Sequence, residues 1–342
     1  MMYPKKITPL FIIILLFACL FAYAQKTAII GFYNVENLYD TKKDLIADDS
    51  EFLPDGANQW TPEKYQHKLK NLSFAISEMG KQQGGVVILG VSEVENEGVL
   101  NDLVEQALLK PLNYKVAHHD SPDYRGVDVA FIYQGDRFDF ISLTPFELKI
   151  PDNPRFRTRD QLLMVGVLDQ IDTLYLIVNH WPSKRGGEAR SAPLRLAAAK
   201  LTRSIVDSLL AINPNSKILI MGDFNDSPTS KIFTAGLDAK GKTKDVAQHD
   251  IFNPMWQMFK DGIGSYAYRD AWELIDQIMV SYALLYPKPN SYKFTSAHVF
   301  RANFLLTKSG SFQGYPFRSY SGGNYQGGYS DHLPVYVILQ KN

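Results

Sequence analysis

Short apolar runs with the length of a buried β-strand recur along the chain, and polar residues cluster where they end. The run Ile218–Met221 stops at Gly222 and is followed at once by an acid, an amide, a second acid and Pro228. An apolar run of this length bounded by turn residues is typical of a buried strand. Comparable runs lie at 27–33, 86–91, 127–133, 162–168, 174–178, 274–280 and 333–337. The pattern therefore predicts a set of buried strands whose ends carry polar side chains.

Stretches with helical spacing separate several of these strands. Thr61 precedes apolar residues that recur at helical spacing until Gly80, which predicts a helix that begins after Thr61 and stops at Gly80. Further helices are predicted around 99–109 and 190–210. The segment 235–268 has no pattern that assigns it to an element. Strands that alternate with helices indicate the α/β class.

The first 24 residues have the pattern of a secretory signal peptide. Lys5 and Lys6 precede an apolar run that is short for a membrane span, and Ala22-Tyr23-Ala24 forms a small-residue cleavage site. Cleavage there predicts a secreted or periplasmic protein without stable membrane insertion. The competing hypothesis, a lipid anchor on Cys19, fits the surrounding residues less well.

The charge balance excludes a protein that binds nucleic acid through overall positive charge. The chain has 36 basic and 36 acidic residues, and removal of Lys5 and Lys6 with the signal leaves 34 against 36. Nucleic-acid-binding domains are usually strongly basic. A polyanionic substrate would therefore have to be held by a local patch and a metal. Cys19 is the only cysteine, so the chain after residue 24 has no disulfide framework and no cysteine metal site.

Acids, amides and histidines at the strand ends are candidates for metal binding or catalysis. Asp223 and Asn225 can point the same way from an extended backbone and offer hard oxygens to a divalent cation. Taken singly, each candidate has an ordinary structural explanation as a turn residue, a buried ion-pair partner or a core histidine. Several strand ends that each supply such a residue are what an α/β enzyme needs to bring groups together in one crevice.

Six short motifs occur in a fixed order over nearly the whole chain after residue 24. They are Asn34-Val35-Glu36-Asn37, Ser92-Glu93, Asn179-His180-Trp181-Pro182-Ser183, Gly222-Asp223-Phe224-Asn225, Asp276-Gln277-Ile278 and Ser330-Asp331-His332-Leu333-Pro334. Together they resemble the motifs of the endonuclease/exonuclease/phosphatase superfamily. The segments 124–128 and 179–187 are most similar to bacterial predicted extracellular nucleases, which have a deoxyribonuclease I-like fold.

The resemblance implies an α/β fold of a particular kind. It is a four-layer α/β/β/α sandwich, in which two mixed β-sheets pack face to face and helices cover the outside. The site then lies at one edge of the sandwich. Because Asn34 and His332 must meet there, we expect residues 25–342 to form one domain.

The resemblance also implies a divalent-metal site. In the family pattern, Asn34 and Glu93 hold Mg²⁺ or Mn²⁺, with Ca²⁺ as a further alternative, and Asp331 serves the same metal or a second one. Hard oxygen ligands of this kind suit these cations.

The remaining motif residues are implied to act on the substrate. Asp276 orients His332, Asp223 and Asn225 hold the attacking water and the phosphate, and His180 donates a hydrogen bond or a proton to the phosphate. Either Asp223 or His332 is the base. A neutral imidazole oriented by an acid takes up a proton at neutral pH.

Several predictions concern substrate contacts and the support of His180. Arg125, Arg318 and Tyr320 are predicted to bind the substrate, since guanidinium groups and aromatic rings hold phosphates and bases. In relatives, a Glu supports the histidine that corresponds to His180. Asp128 is the candidate for this supporting role here.

The substrate class is predicted from the resemblance and the signal sequence together. A secreted endonuclease that acts on nucleic acid, DNA in preference to RNA, is the first hypothesis, and a monomer is expected. A phosphatase or phosphodiesterase of a smaller ester, similar to sphingomyelinases or inositol-polyphosphate phosphatases, is the second. The third is a catalytically inactive relative that binds a partner through the same fold.

Overall fold

The computed structural model describes residues 26–342, so the predicted signal peptide and the Cys19 alternative lie outside the described residues. In chain order the strands are β1 (Thr27–Leu38), β2 (Val86–Val94), β3 (Tyr114–His118), β4 (Asp128–Gln134), β5 (Phe138–Phe146), β6 (Gln161–Leu168), β7 (Asp172–His180), β8 (Lys217–Asp223), β9 (Ala239–Lys240), β10 (Ile251–Phe252), β11 (Tyr266–Tyr268), β12 (Ala271–Glu273), β13 (Asp276–Ser281), β14 (Tyr292–Val299), β15 (Tyr320–Ser321), β16 (Asn324–Tyr325) and β17 (Val335–Lys341).

The helices are fewer than the strands. The α-helices are α1 (Pro62–Glu78), α2 (Glu97–Val104), α3 (Glu188–Ile212), α4 (Met255–Lys260) and α5 (Tyr282–Leu285). Single helical turns of other kinds lie at Ser50–Phe52, Lys81–Gln83, Lys110–Leu112, Phe233–Leu237, Thr243–Asp245 and Asn303–Leu305. Within residues 26–342, no helix combines the length and the apolar character needed to cross a membrane.

The strands form two large mixed sheets. The first has the order β14-β17-β1-β2-β4-β3, and the second has the order β5-β6-β7-β8-β13-β10-β9. In the first sheet β1 runs parallel to β2 and antiparallel to β17. In the second, β8 runs parallel to β7 and antiparallel to β13. The hairpins β11-β12 and β15-β16 lie outside both sheets.

Both faces of each central strand are apolar. For this reason the strands appear in the sequence as continuous apolar runs and not as alternating apolar and polar residues. Along β1, Ile30 and Phe32 point into a core that the two sheets share with residues such as Leu219 of β8. Ile29 and Tyr33, on the opposite face of β1, pack in a second core with helices α1 and α2. A third core joins β8 to α3. The predicted four-layer α/β/β/α sandwich is confirmed.

The helix predicted after Thr61 has the expected ends. Thr61 caps α1, because its side-chain oxygen accepts a hydrogen bond from Lys64 N at 3.4 Å. Gly80 adopts a left-handed φ of 62°, and a Cβ built there would lie 2.1 Å from Ile29 Cδ1. The left-handed backbone and the close contact favour glycine at this position, and the chain turns there toward β2. The second predicted helix is shorter than expected and ends at Val104.

The sheet register brings the motif residues to one edge. Asp223 ends β8, and its neighbours across the sheet are His180 at the end of β7 and Asp276 at the start of β13. Asn34 of β1 pairs with Ser92 of β2. The second sheet therefore presents two carboxylates and an imidazole at one edge.

Candidate active site

A cavity of about 560 Å³ lies at this edge of the sandwich. The predicted site residues that line it are Glu93, Arg125, His180, Asp223, Asn225, Asp331 and His332. Asn34 and Asp276 are buried and contact lining residues directly. Arg318 and Tyr320 are not among the residues that line this cavity. The motifs that are far apart in the chain thus converge on one space.

Asp223 occupies the centre of the cluster. Its Oδ2 accepts a hydrogen bond from Asn34 Nδ2 at 3.0 Å. The same oxygen lies 3.5 Å from His180 Nε2 and 3.9 Å from His332 Nε2. Its Oδ1 accepts a hydrogen bond from Asn225 N at 2.9 Å. Burial raises the pKa of Asp223 to about 7, with the charge of His332 opposing the shift.

His332 forms a pair with Asp276. His332 Nδ1 lies 2.8 Å from Asp276 Oδ2, which also accepts a hydrogen bond from Ser265 Oγ at 2.5 Å. Both residues of the pair are buried. Burial works against the charged imidazole, but the charges of Asp276 and Asp331 outweigh it and raise the pKa of His332 well above its ordinary value. Nε2 of His332 is left facing the cavity beside Asp223, where it can exchange a proton.

His180 differs from His332 in its surroundings. Its Nε2 faces Asp223 and Glu93, with Glu93 Oε1 at 3.9 Å. Its Nδ1 is buried and has no hydrogen-bond partner among the described residues. Burial, together with the charges of Arg159 and Arg125, holds the pKa of His180 well below its ordinary value. The ring is therefore neutral at pH 7 and can donate one hydrogen bond into the cavity.

Glu93 and Asn225 have a strained backbone. Their φ angles are 61° and 51°, in the left-handed region that non-glycine residues seldom adopt. Each is held there by hydrogen bonds: Asn37 N donates to Glu93 Oε2 at 3.1 Å, and Asn225 Nδ2 donates to Trp181 O at 3.0 Å. Strain of about 1–3 kcal/mol per residue tends to persist only where the surrounding structure enforces it, often at functional sites.

The oxygen ligands in this cluster fit a divalent cation. Glu93 and Asp223 line the cavity, while Asn34 is buried behind it and hydrogen-bonded to Asp223. Asp223, Asp276 and His332 also offer ligand atoms that lie within 4.8 Å of one another. Carboxylate and amide oxygens suit Mg²⁺ and Mn²⁺. The predicted ligands Asn34 and Glu93 could therefore hold such an ion.

Asp331 and Arg318 lie at the border of the cavity. Asp331 Oδ1 is 3.8 Å from His332 Nε2, and its Oδ2 is 4.0 Å from Arg318 Nη2. The carboxylate of Asp331 thus lies between the imidazole and the guanidinium. Asp331 lines the cavity, whereas the guanidinium of Arg318 lies outside the lining at the limit of ion-pair distance from Asp331.

A cationic wall, formed by Arg125, Arg159, Lys184 and Arg185, lines another part of the cavity. Arg159 is buried and donates to Asp123 Oδ2 at 3.1 Å and to Trp181 O at 2.9 Å.

Only Arg125 in this wall is a predicted substrate contact. Arg155, Arg157 and Arg159 occupy alternate positions before β6, a pattern that is also typical of a solvated edge strand and so does not mark Arg159 as a site residue. The hydrogen-bond partners of Arg159, Asp123 and Trp181, come from distant parts of the chain.

The aromatic rings before His332 have a different place from the one predicted. Tyr320 lies in hairpin β15-β16, where its hydroxyl donates to Asn58 O at 2.8 Å. Its ring packs near Trp60 and Tyr325, with ring centroids 6.2 and 5.3 Å away. These rings complete the core between α1 and the first sheet. The prediction that Tyr320 contacts the substrate therefore has no support from its position.

Asp128 does not support His180. Its Oδ2 lies 3.0 Å from His118 Nε2, and its Oδ1 accepts hydrogen bonds from the backbone and hydroxyl of Ser121. The prediction that Asp128 supports His180 is therefore wrong. Asp128 instead stabilises the loop that follows β3. His180 has no acidic partner on Nδ1 within residues 26–342.

The family of the chain follows from a sequence comparison. A family model described as the Endonuclease/Exonuclease/phosphatase family matches residues 29–341. The chain belongs to this family, whose members cleave phosphate esters. No curated protein sequence matches the chain significantly.

Solved structures similar to this one agree with that assignment at the level of the fold. A TDP2 of D. rerio in complex with a single-strand DNA product has a TM-score of 0.55 at 12% identity, and the match covers 92% of this chain and 98% of that one. ANGEL2, a 2′,3′-cyclic phosphatase, has a TM-score of 0.59 at 14% identity over 92% and 95% of the two chains.

A mannosyl-6-phosphatase of Bacteroides thetaiotaomicron has a TM-score of 0.53 at 17% identity, over 91% of this chain and 99% of that one. The substrates in these names differ widely, so the shared fold does not choose among them.

Proposed function

We propose that the protein is a divalent-metal-dependent phosphodiesterase that hydrolyses nucleic acid, with DNA preferred to RNA. The convergence of the His332–Asp276 pair with Asp223 and Glu93 on one cavity carries this proposal. It provides a proton acceptor, a hydrogen-bond donor and hard metal ligands within a few ångströms.

The residues divide the work of hydrolysis between them. A cation held by Glu93 and Asn34 would neutralise charge on the phosphoryl oxygens. Asp223 Oδ2 accepts the proton of the attacking water, and the charged imidazole of His332, whose Nε2 lies 3.9 Å from that oxygen, stabilises the carboxylate. Asp276 holds the imidazole of His332 in position, and the neutral ring of His180 donates a hydrogen bond to a phosphoryl oxygen.

The cationic wall is an argument for a polyanionic substrate. When a cation compensates Glu93 and the neighbouring acids, Arg125 and Arg185 remain on the cavity lining, whereas Arg159 is already bound to Asp123 and Trp181 O. Arginine binds phosphate with charge-assisted, geometrically specific hydrogen bonds. Tyr268, an exposed ring on the same lining, offers a face on which a base can stack.

The direct test is an assay of the purified chain on supercoiled plasmid DNA, single-stranded DNA, RNA and bis-p-nitrophenyl phosphate, with Mg²⁺, Mn²⁺, Ca²⁺ or EDTA. The expected result is cleavage of DNA that EDTA abolishes and that a His332→Ala variant lacks, which excludes a contaminant. If no nucleic acid is cleaved with any of the metals while the variant and the wild type behave alike, the proposal is wrong.

A second candidate is the hydrolysis of a smaller phosphate ester. The size of the cavity, about 560 Å³, favours it, because this volume is within the range of sites for small molecules. The same assay with p-nitrophenyl phosphate, sugar phosphates, inositol phosphates and sphingomyelin separates the two candidates. Turnover of one small ester far above that of DNA would establish the second.

We also propose that the protein acts outside the cytoplasm as a monomer. The support for this location is the signal-like pattern that ends at Ala24. Fractionation of producing cells and mass measurement of the N-terminus test the location, and sedimentation tests the oligomeric state.

A further inference from the structure

Lys68 of helix α1 is a lysine with an exposed fraction of only 1%. Its Nζ donates to Ser319 Oγ and to the backbone oxygen of Tyr329, both at 2.7 Å. A buried ammonium group is costly unless it is paired and hydrogen-bonded. The structure thus keeps a charge in a place where a leucine or methionine would pack at no such cost.

Glu36 is the acid that faces this lysine. Its Oε2 lies 3.7 Å from Lys68 Nζ and accepts a hydrogen bond from Ser319 N at 2.7 Å. Glu36 is itself buried. Lys68, Glu36 and Ser319 therefore form one hydrogen-bonded cluster, here called the Lys68 cluster, between α1, the end of β1 and the segment before β17.

The Lys68 cluster is joined to the metal-binding half of the site through Glu36. Glu36 N donates to Asn34 Oδ1 at 2.9 Å, which leaves Asn34 Nδ2 to donate to Asp223 Oδ2. The next residue, Asn37, donates its backbone N–H to Glu93 Oε2. Glu36 and Asn37 both have a φ of 52°, so this turn needs tertiary contacts to hold its shape.

The Lys68 cluster is also joined to the half of the site that carries His332. Lys68 binds the backbone oxygen of Tyr329, and the next residue, Ser330, donates its hydroxyl to Asn34 O at 2.7 Å. His332 N donates to the same hydroxyl of Ser330 at 3.0 Å. One ammonium group thus ties down both chain segments between which the reaction takes place.

We propose that Lys68 is a positioning residue, which holds Asn34 and His332 at their working separation without touching the substrate. This inference rests on the proposed function of the cavity. It extends that function to a side chain that lies behind the site on a helix.

The test compares four variants with the wild type. Lys68→Met removes the charge and retains much of the length, and Glu36→Gln removes the counter-charge. The double variant Lys68→Met/Glu36→Gln removes both charges, so no unpaired charge stays buried. Lys70→Met, an exposed lysine on the same helix, is the matched control. The measurements are kcat, KM, Tm and the affinity for Mn²⁺ by calorimetry.

We expect Lys68→Met alone to lower Tm by roughly 10 °C, because Glu36 loses its partner. The double variant should recover most of that loss in Tm. Its kcat should nevertheless stay about 100-fold below the wild type with little change in KM, since a small misplacement of reacting groups has that effect. Its Mn²⁺ affinity should also fall, while Lys70→Met should match the wild type in every measurement.

A double variant that recovers both Tm and kcat would show that Lys68 only stabilises the fold, and the inference would be wrong. A double variant with unchanged Mn²⁺ affinity and unchanged kcat would likewise show that Lys68 only stabilises the fold. Failure of the proposed function looks different: the wild type would bind Mn²⁺ but hydrolyse none of the substrates, and the effect of the variants on Mn²⁺ affinity would still decide the role of Lys68.

Discussion

Asp276 lies directly opposite Asp223 in the antiparallel pairing of β13 with β8. Two carboxylates side by side in a buried position repel each other unless a proton, an imidazolium or a metal intervenes. His332 lies between them, with Nδ1 at 2.8 Å from Asp276 and Nε2 at 3.9 Å from Asp223. The three groups therefore form one electrostatic unit, in which the imidazole separates the two carboxylates.

The first prediction follows from this unit. His332→Ala and Asp276→Ala should each lower kcat by a factor of about 10³ or more, because either change removes the oriented imidazole. The double variant should be no worse than the poorer single variant. Activity assays at several pH values measure this, and losses that simply multiply would show that the two residues act independently.

The second prediction concerns the metal. Glu93→Gln keeps the shape of the side chain and removes a charge from the ligand set, so kcat should fall by a factor of 10² or more and Mn²⁺ affinity should drop. Tm should change by only a few degrees. The matched control is Glu105→Gln, an exposed glutamate on a surface ion pair with Lys110. Near-wild-type activity in Glu93→Gln would contradict the ligand assignment.

The third prediction separates the cationic wall from the aromatic cluster. Arg125→Gln should raise KM for DNA several-fold and leave KM for bis-p-nitrophenyl phosphate nearly unchanged, because the guanidinium holds a phosphate that only the longer substrate has. Tyr320→Ala should instead lower the stability by about 2 kcal/mol, through the lost ring packing and hydrogen bond. If Tyr320→Ala instead raised KM for DNA and left Tm unchanged, Tyr320 would have to contact the substrate.

The fourth prediction is a pH dependence of stability. Burial raises the pKa of Asp160 to about 6, and its Oδ1 has no hydrogen-bond partner among residues 26–342. A carboxyl whose pKa is raised on folding stabilises the folded state below pH 4, and this contribution is lost as the pH rises through 6. Asp160→Asn should therefore be more stable than the wild type by roughly 2 kcal/mol at pH 8 and about equal to it at pH 4. Urea unfolding at the two pH values measures the difference. An equal effect at both pH values would mean that the carboxyl does not titrate in this range.

The order of the motifs was sufficient to predict the sandwich and the residues that meet at its edge. Asp223, His180 and Asp276 each lie at a strand end, and strand ends are predictable from local hydrophobicity. Their common edge follows from the family resemblance. The helix after Thr61 was predictable because its cap and its terminal glycine are local signals as well.

Other features depend on distant parts of the chain and left no local signal. The sequence predicts Tyr320 to contact the substrate because an aromatic ring can stack on a base. The hairpin β15-β16 instead turns toward α1, where Trp60 and Tyr325 surround its ring. Lys68 reads as an ordinary polar position of an amphipathic helix until its partners Ser319 and Tyr329 are brought to it. Burial of this kind is decided by tertiary structure.

The pairing of β1 with β17 has a consequence for the folding of the protein. β17 is inserted between β14 and β1, inside the first sheet, and His332 immediately precedes it. A chain in which β17 has not docked has a gap in this sheet, and His332 lacks the neighbouring strand that anchors it. The docking of β17 therefore completes the first sheet and fixes the position of His332 in a single event, so the cavity takes its final form only at the end of folding.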